Sequence, residues 1–129
     1  MSEEKKYETT AQLFDKFVLD CKFFIALFGL FDWQIDYRHS EKKDHRAYID
    51  FHWQGKMATI ALCKNWESDE PNDFNIKRDA FHEVCELLLA DSYIAACDID
   101  LTPQLRREAL ERARHAVIRR MENCVLPLL

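Results

Sequence analysis

The sequence predicts an α+β fold: a three-stranded antiparallel meander packed against three helices, formed by a single domain over 1–129. Three observations point there. Apolar residues recur at helical spacing near the start, the period then changes to two, and the helical period returns over the last fifty or so residues. With only 2 glycines and 3 prolines in 129 residues, little of the chain is marked as irregular.

The first nine residues, opening Met1-Ser2-Glu3-Glu4-Lys5-Lys6, carry no apolar period and read as a flexible N-terminal extension. From about Thr10 to Leu30, the residues Leu13, Phe14, Phe17, Val18, Cys21, Phe24, Ile25 and Phe28 form one helical stripe, and Gly29 supplies a stop. Trp33, Ile35 and Tyr37 then alternate with polar neighbours, as in a half-buried strand, before a charged turn from Arg38 to Arg46. Ala47, Ile49, Phe51 and Trp53 repeat the alternation. Gln54-Gly55 makes a tight connection, and Met57 to Cys63 supplies a third, more apolar strand. Short links between successive strands predict the meander.

Lys64 to Asn75 is polar and reads as a surface loop, with Asn75 as N-cap of a second helix from about Ile76 to Ala96. Thr102-Pro103 pairs a capping residue with proline at the first helical position, so a third helix runs from Pro103 to about Val125. Its core face is Leu105, Ala109, Ala113, Val117, Met121 and Cys124.

A formal charge of −5 has the wrong sign for broad contact with phosphate backbones, so nucleic acid is not the expected ligand. The apolar run from Phe23 to Phe31 is shorter than the ~20 residues that span a bilayer, which argues against a membrane segment. Five scattered cysteines (Cys21, Cys63, Cys85, Cys97 and Cys124) without a C-x-x-C pair read as reduced thiols, and no secretory signal is visible. A cytoplasmic location is the expectation.

The chemistry concentrates in Ala80-Phe81-His82-Glu83-Val84-Cys85-Glu86-Leu87. This matches the zinc-protease helix signature H-E-x-x-H, with glutamate in place of the second histidine. Residues at i and i+4 share a helix face, so His82 and Glu86 present a nitrogen and an oxygen donor to one ion. Glu83 occupies the general-base position. His-Glu-x-x-Glu also arises on the polar face of any charged helix, where it simply meets water.

Around this signature the chain resembles a small zincin-like metallopeptidase family of tailed bacteriophages and prophages. The resemblance covers roughly 10–125. It rests on the amphipathic first helix, the strand around Asp32-Trp33-Gln34-Ile35, the apolar strand ending near Cys63, the His-Glu helix, and the last helix around Arg114-His115-Ala116-Val117-Ile118-Arg119-Arg120-Met121-Glu122-Asn123. It implies a minimal zincin-like fold, a zinc ion and peptide hydrolysis if the altered site is occupied, and action in the host-cell cytoplasm. The chain departs from the family pattern at Glu86 and at His115, where an acidic residue is usual. Read as a swap, His82, Glu86 and His115 form the zinc ligands and Glu83 polarises bound water. On the helical wheel His115 lies among Glu108, Glu111 and Glu122, so Glu111 competes as third ligand, and a solvated charged stripe explains the same residues.

The alternative is a non-enzymatic small protein that binds and modulates a host protein, its partner a peptide or a folded surface. Tyr48 and Trp66, with the acidic loop Glu67 to Asp73, are candidates for such an edge. His39, His45 and His52, in or beside the first hairpin, read as solvated side chains.

Overall fold

The structure, a computed structural model, describes residues 6–52 and 55–128. The expected α+β class is observed, with four helices and two small sheets rather than three helices and one. The elements run β1 (Tyr7–Glu8), α1 (Ala11–Phe28), β2 (Gln34–Ser40), β3 (Ala47–His52), β4 (Met57–Cys63), β5 (Asn65–Trp66), α2 (Asp73–Leu88), α3 (Ala90–Cys97) and α4 (Pro103–Cys124). A 3₁₀ turn, Leu126–Leu128, follows.

The meander is corrected. The larger sheet has the order β2-β4-β3, with β4 antiparallel to β3 but parallel to β2. The reason lies in the strand sequences. β4 carries Ala58-Thr59-Ile60-Ala61-Leu62-Cys63, almost all buried, whereas β2 and β3 alternate. A strand shielded on both faces belongs at the centre, and alternating strands with one wet face belong at the edges. Ala58, Ile60 and Leu62 face the helices with Ile35, Tyr37, Ala47, Ile49 and Phe51. Asp36, Thr59 and Asp50, paired side by side across the sheet, lie on the opposite face. The charged turn is also shorter than expected, because β2 continues to Ser40. Trp53 and Gln54, assigned from the sequence to a strand end and a tight connection, lie outside the described residues.

α1 follows the sequence closely. The Thr10 hydroxyl accepts from the Leu13 N–H at its start, and Gly29 ends it in the left-handed region at φ 66°. Phe17, Cys21, Phe24, Ile25 and Phe28 are buried against the sheet and α2. Full burial of one such side chain stabilises by about 1.5–3 kcal/mol. The guanidinium of Arg120 on α4 donates to the carbonyls of Phe28 and Gly29, at 3.1 and 2.8 Å, satisfying the frayed end of α1.

The expected extension over 1–9 is shortened. Tyr7–Glu8 pairs antiparallel with Asn65–Trp66, and Thr9 is buried. The Thr9 hydroxyl donates to the Cys63 carbonyl at 2.8 Å, so the 2.7 Å contact from His39 Nε2 is that ring's N–H donating to Thr9. His39 also stacks on Phe14. It is a packed residue, and its pKa is lowered by burial and by the charge of Lys64. Met1 to Lys5 lie outside the described residues.

The long second helix is two helices, broken at Leu89 (φ −94°, ψ 4°). No glycine or proline marks the break. Beyond it α3 packs against α4. The N-cap is Asn72 rather than Asn75: the Asn72 side chain accepts from the Asn75 N–H at 2.9 Å, and Asn75 donates to the Glu70 carbonyl instead. α4 begins as expected at Thr102-Pro103. Of its predicted core face only Ala113 is buried, and Leu105 and Met121 are exposed. Among the described residues, no helix is long and apolar enough to cross a membrane.

Candidate metal centre

Along α2, Ile76, Ala80, Val84 and Leu87 recur at helical spacing and are buried. Phe81, flanking this stripe, packs against Phe24 and Phe28 of α1. Asp79, His82, Glu83 and Glu86 are spaced i, i+3, i+4 and i+7, so they fall on one side of the helix. That side borders β3: one cavity is lined jointly by Arg46, Ala47, Asp79, His82 and Glu83, and another by Ile49, Phe51 and Glu86. The first cavity holds about 230 Å³ and the second about 600 Å³.

The donor atoms of His82, Glu83 and Glu86 all lie within 4.8 Å of one another. His82 Nε2 stands 3.7 Å from Glu86 Oε1. Ligand atoms on a single zinc ion are about 3.3 Å apart, given bonds of about 2.0–2.2 Å, so modest side-chain rotations bring this group to bonding distance. One imidazole and two carboxylates form a nitrogen–oxygen donor set that suits zinc and other divalent ions. The group can hold a metal.

Glu83 differs from its neighbours in burial. It is 6 % exposed, while His82 and Glu86 are largely open to solvent. Its Oε2 is buried without a hydrogen-bond partner among the described residues. Desolvation raises its pKa to about 8, assisted by the nearby carboxylates of Glu86 and Asp79. At neutral pH Glu83 therefore holds its proton, and a nearby cation would release it. The pKa of Asp79 is raised by burial too, against the opposing pull of Arg46, Arg78 and His82. Cys21, beneath the site, is pushed strongly upward by burial and by Glu83, so its thiol is inert.

Arg46 joins the site to the sheet. Its Nε lies 3.3 Å from Asp79 Oδ2, its Nη1 donates to Asp69, and its guanidinium sits over the Trp66 ring at 5.7 Å. Its carbonyl accepts from the Cys63 N–H. Sequence reading passed over both Arg46 and Asp79. The signal for Asp79 was present, because Asp79-x-x-His82-Glu83-x-x-Glu86 keeps one helix side acidic through two turns. Arg46 had no local signal, since its role depends on β3 meeting α2.

His115 is not brought to this group. It pairs with Glu111 one turn away on α4, at 3.8 Å, and the two line a separate cavity with Glu108, Arg112 and Arg119. The exchanged trio of His82, Glu86 and His115 is therefore not assembled among the described residues, and Glu111 does not complete it either. Of the two aromatics that could make a binding edge or fill the core, Trp66 is core, at 1 % exposure, and Tyr48 is half-buried with its hydroxyl donating to Ser40. His45 packs edge-on to Tyr48, and His52 is exposed at the end of β3. No family model matches the chain, and no curated protein or solved structure matches it.

Proposed function

We propose that this is a zincin-like, metallopeptidase-related protein of the phage type with a remodelled zinc site, in which His82 and Glu86 are ligands and a peptide lies along β3. The observation that carries the reading is the convergence of His82, Glu83 and Glu86 on the side of α2 that borders an edge strand. Zinc bound there would supply Lewis acidity toward a peptide carbonyl and acidify a water. His82 and Glu86, one helical turn apart, hold the donor geometry. With a cation beside it Glu83 would give up the proton it otherwise keeps at neutral pH, leaving a buried carboxylate that would serve as the base and pass a proton on. Arg46, paired with Asp79, fixes β3 against α2.

The test is metal content by elemental mass spectrometry on the wild type and on His82→Ala, each dialysed with zinc. One zinc per chain, lost in the variant, is the expected result, followed by peptide cleavage that disappears in Glu83→Gln. Zinc-free wild type after dialysis sinks the metal reading.

One observation favours a second reading, a non-enzymatic binder of a host protein. All the donors come from a single helix, and His115 lies apart. In that case Glu83→Gln leaves binding intact, whereas an enzyme loses turnover.

A further inference from the structure

We propose that the cavity on the Arg46 side of the donor group is a carboxylate subsite, receiving either an acidic side chain or the terminal carboxylate of a peptide laid on β3. The inference takes the peptide, though not the metal, from the reading above.

The cavity is lined by Arg46, Ala47, Arg78, Asp79, His82 and Glu83. Its two guanidiniums differ in how far they are engaged. Arg46 is held by Asp69, Asp79 and the face of Trp66. Arg78 forms two long ion pairs, with Asp69 and Asp79 each 3.8 Å away, and donates no side-chain hydrogen bond among the described residues, so its planar fork of N–H donors has room for a hydrogen-bonded partner. Such a fork matches a carboxylate in two parallel hydrogen bonds. Of the two acids of the lining, Asp79 is shared between Arg46 and, at longer range, Arg78, and Glu83 lies with His82 and Glu86.

Backbone geometry brings a peptide to this cavity. The Cys63 N–H donates to the Arg46 carbonyl, which makes Arg46 and Cys63 a hydrogen-bonded pair of the antiparallel ladder. Alternation then turns the N–H and C=O of Ala47, Ile49 and Phe51 toward the free edge of β3. Ala47 itself lines the cavity, so a strand added at that edge passes its mouth. The larger cavity further along β3 is lined by Ile49, Asp50, Phe51, Glu86, Leu89 and Tyr93 and has no cationic side chain. The two ends of the edge thus differ in charge, and an anionic group is favoured only at the Arg78 end.

The experiment uses fluorescent heptapeptides of alternating valine and threonine, followed by anisotropy against the whole protein with and without zinc. One set is capped at both ends and carries a single glutamate at each position in turn. A second set has glutamine at those positions, and a third has no glutamate but a free C-terminal carboxylate. At least one carboxylate-bearing peptide should bind tenfold or more tighter than its neutral counterpart, and whether it comes from the first or the third set identifies the source. Arg78→Gln should bring that peptide to within twofold of the neutral one, with melting temperature and zinc content unchanged. Equal binding of charged and neutral peptides, no binding by any of them, or a preference that survives Arg78→Gln overturns the proposal. Zinc binding without a carboxylate preference defeats this inference alone, and a carboxylate preference in protein that takes up no zinc defeats only the metal reading.

Discussion

Arg46 and Asp79 meet across the boundary between β3 and α2, with Nε 3.3 Å from Oδ2 and the aspartate almost fully buried. The contact fixes the helix side that bears His82, Glu83 and Glu86 against the sheet edge. Removing one partner of a buried pair leaves an uncompensated charge and costs about 3–5 kcal/mol. Arg46 is partly exposed, which moves the value toward that of surface pairs. Arg46→Ala should therefore destabilise by about 2 kcal/mol in urea unfolding. Asp79→Asn in the same chain should recover part of the loss, and a double variant no better than Arg46→Ala would show that the pair contributes nothing.

Glu83 sets a pH dependence. Its folded pKa, about 8, is above its ordinary 4.5. Between those values the folded state holds a proton that the unfolded state has released. Stability from this group therefore falls as pH rises through that window and is level outside it. Glu83→Gln keeps the shape and removes the titration. The variant should gain on the wild type steadily from pH 5 to 8, by on the order of a few kcal/mol. Parallel stability curves across that range would contradict a raised Glu83.

The histidine of α4 should be dispensable for metal. Because His115 pairs with Glu111 away from α2, His115→Ala is expected to leave zinc stoichiometry unchanged and affinity within about twofold, whereas Glu86→Ala abolishes binding. Competition against a zinc indicator reads both.

Gly29 closes α1 with a positive φ, and a Cβ there would meet only Arg120 Nη1 at an ordinary 3.7 Å. The cost of Gly29→Ala is thus a backbone cost, about 1 kcal/mol. Gly29→Asn should cost less, because asparagine tolerates the left-handed region. Equal melting temperatures for the glycine and alanine forms would count against this cap.

Local signals were legible in the sequence and long-range ones were not. Gly29 and Thr102-Pro103 announce their helix ends through local backbone and capping preferences, and the structure keeps both. Strand order was misread because short links suggest hairpins, while the nearly continuous burial of β4, which puts it in the centre, shows only when all three strands are compared. The break at Leu89 has no residue to announce it, since it arises from α3 packing on α4. At the site, His82, Glu83 and Glu86 share one helix and could be read from spacing. Arg46 lies 33 positions before Asp79, and only the tertiary fold joins them.

The parallel pairing of β2 with β4 also sets an order of assembly. β3 and β4 are consecutive in sequence and pair antiparallel, so they can zip locally on the microsecond scale of hairpins. β2 can pair only with a strand that is already turned back, so its seven-residue ladder closes a loop containing all of β3. Weakening the β3–β4 pairing should therefore delay the whole sheet, while weakening β2 should chiefly speed its unfolding. The edge that carries the site is laid down in the first of these steps.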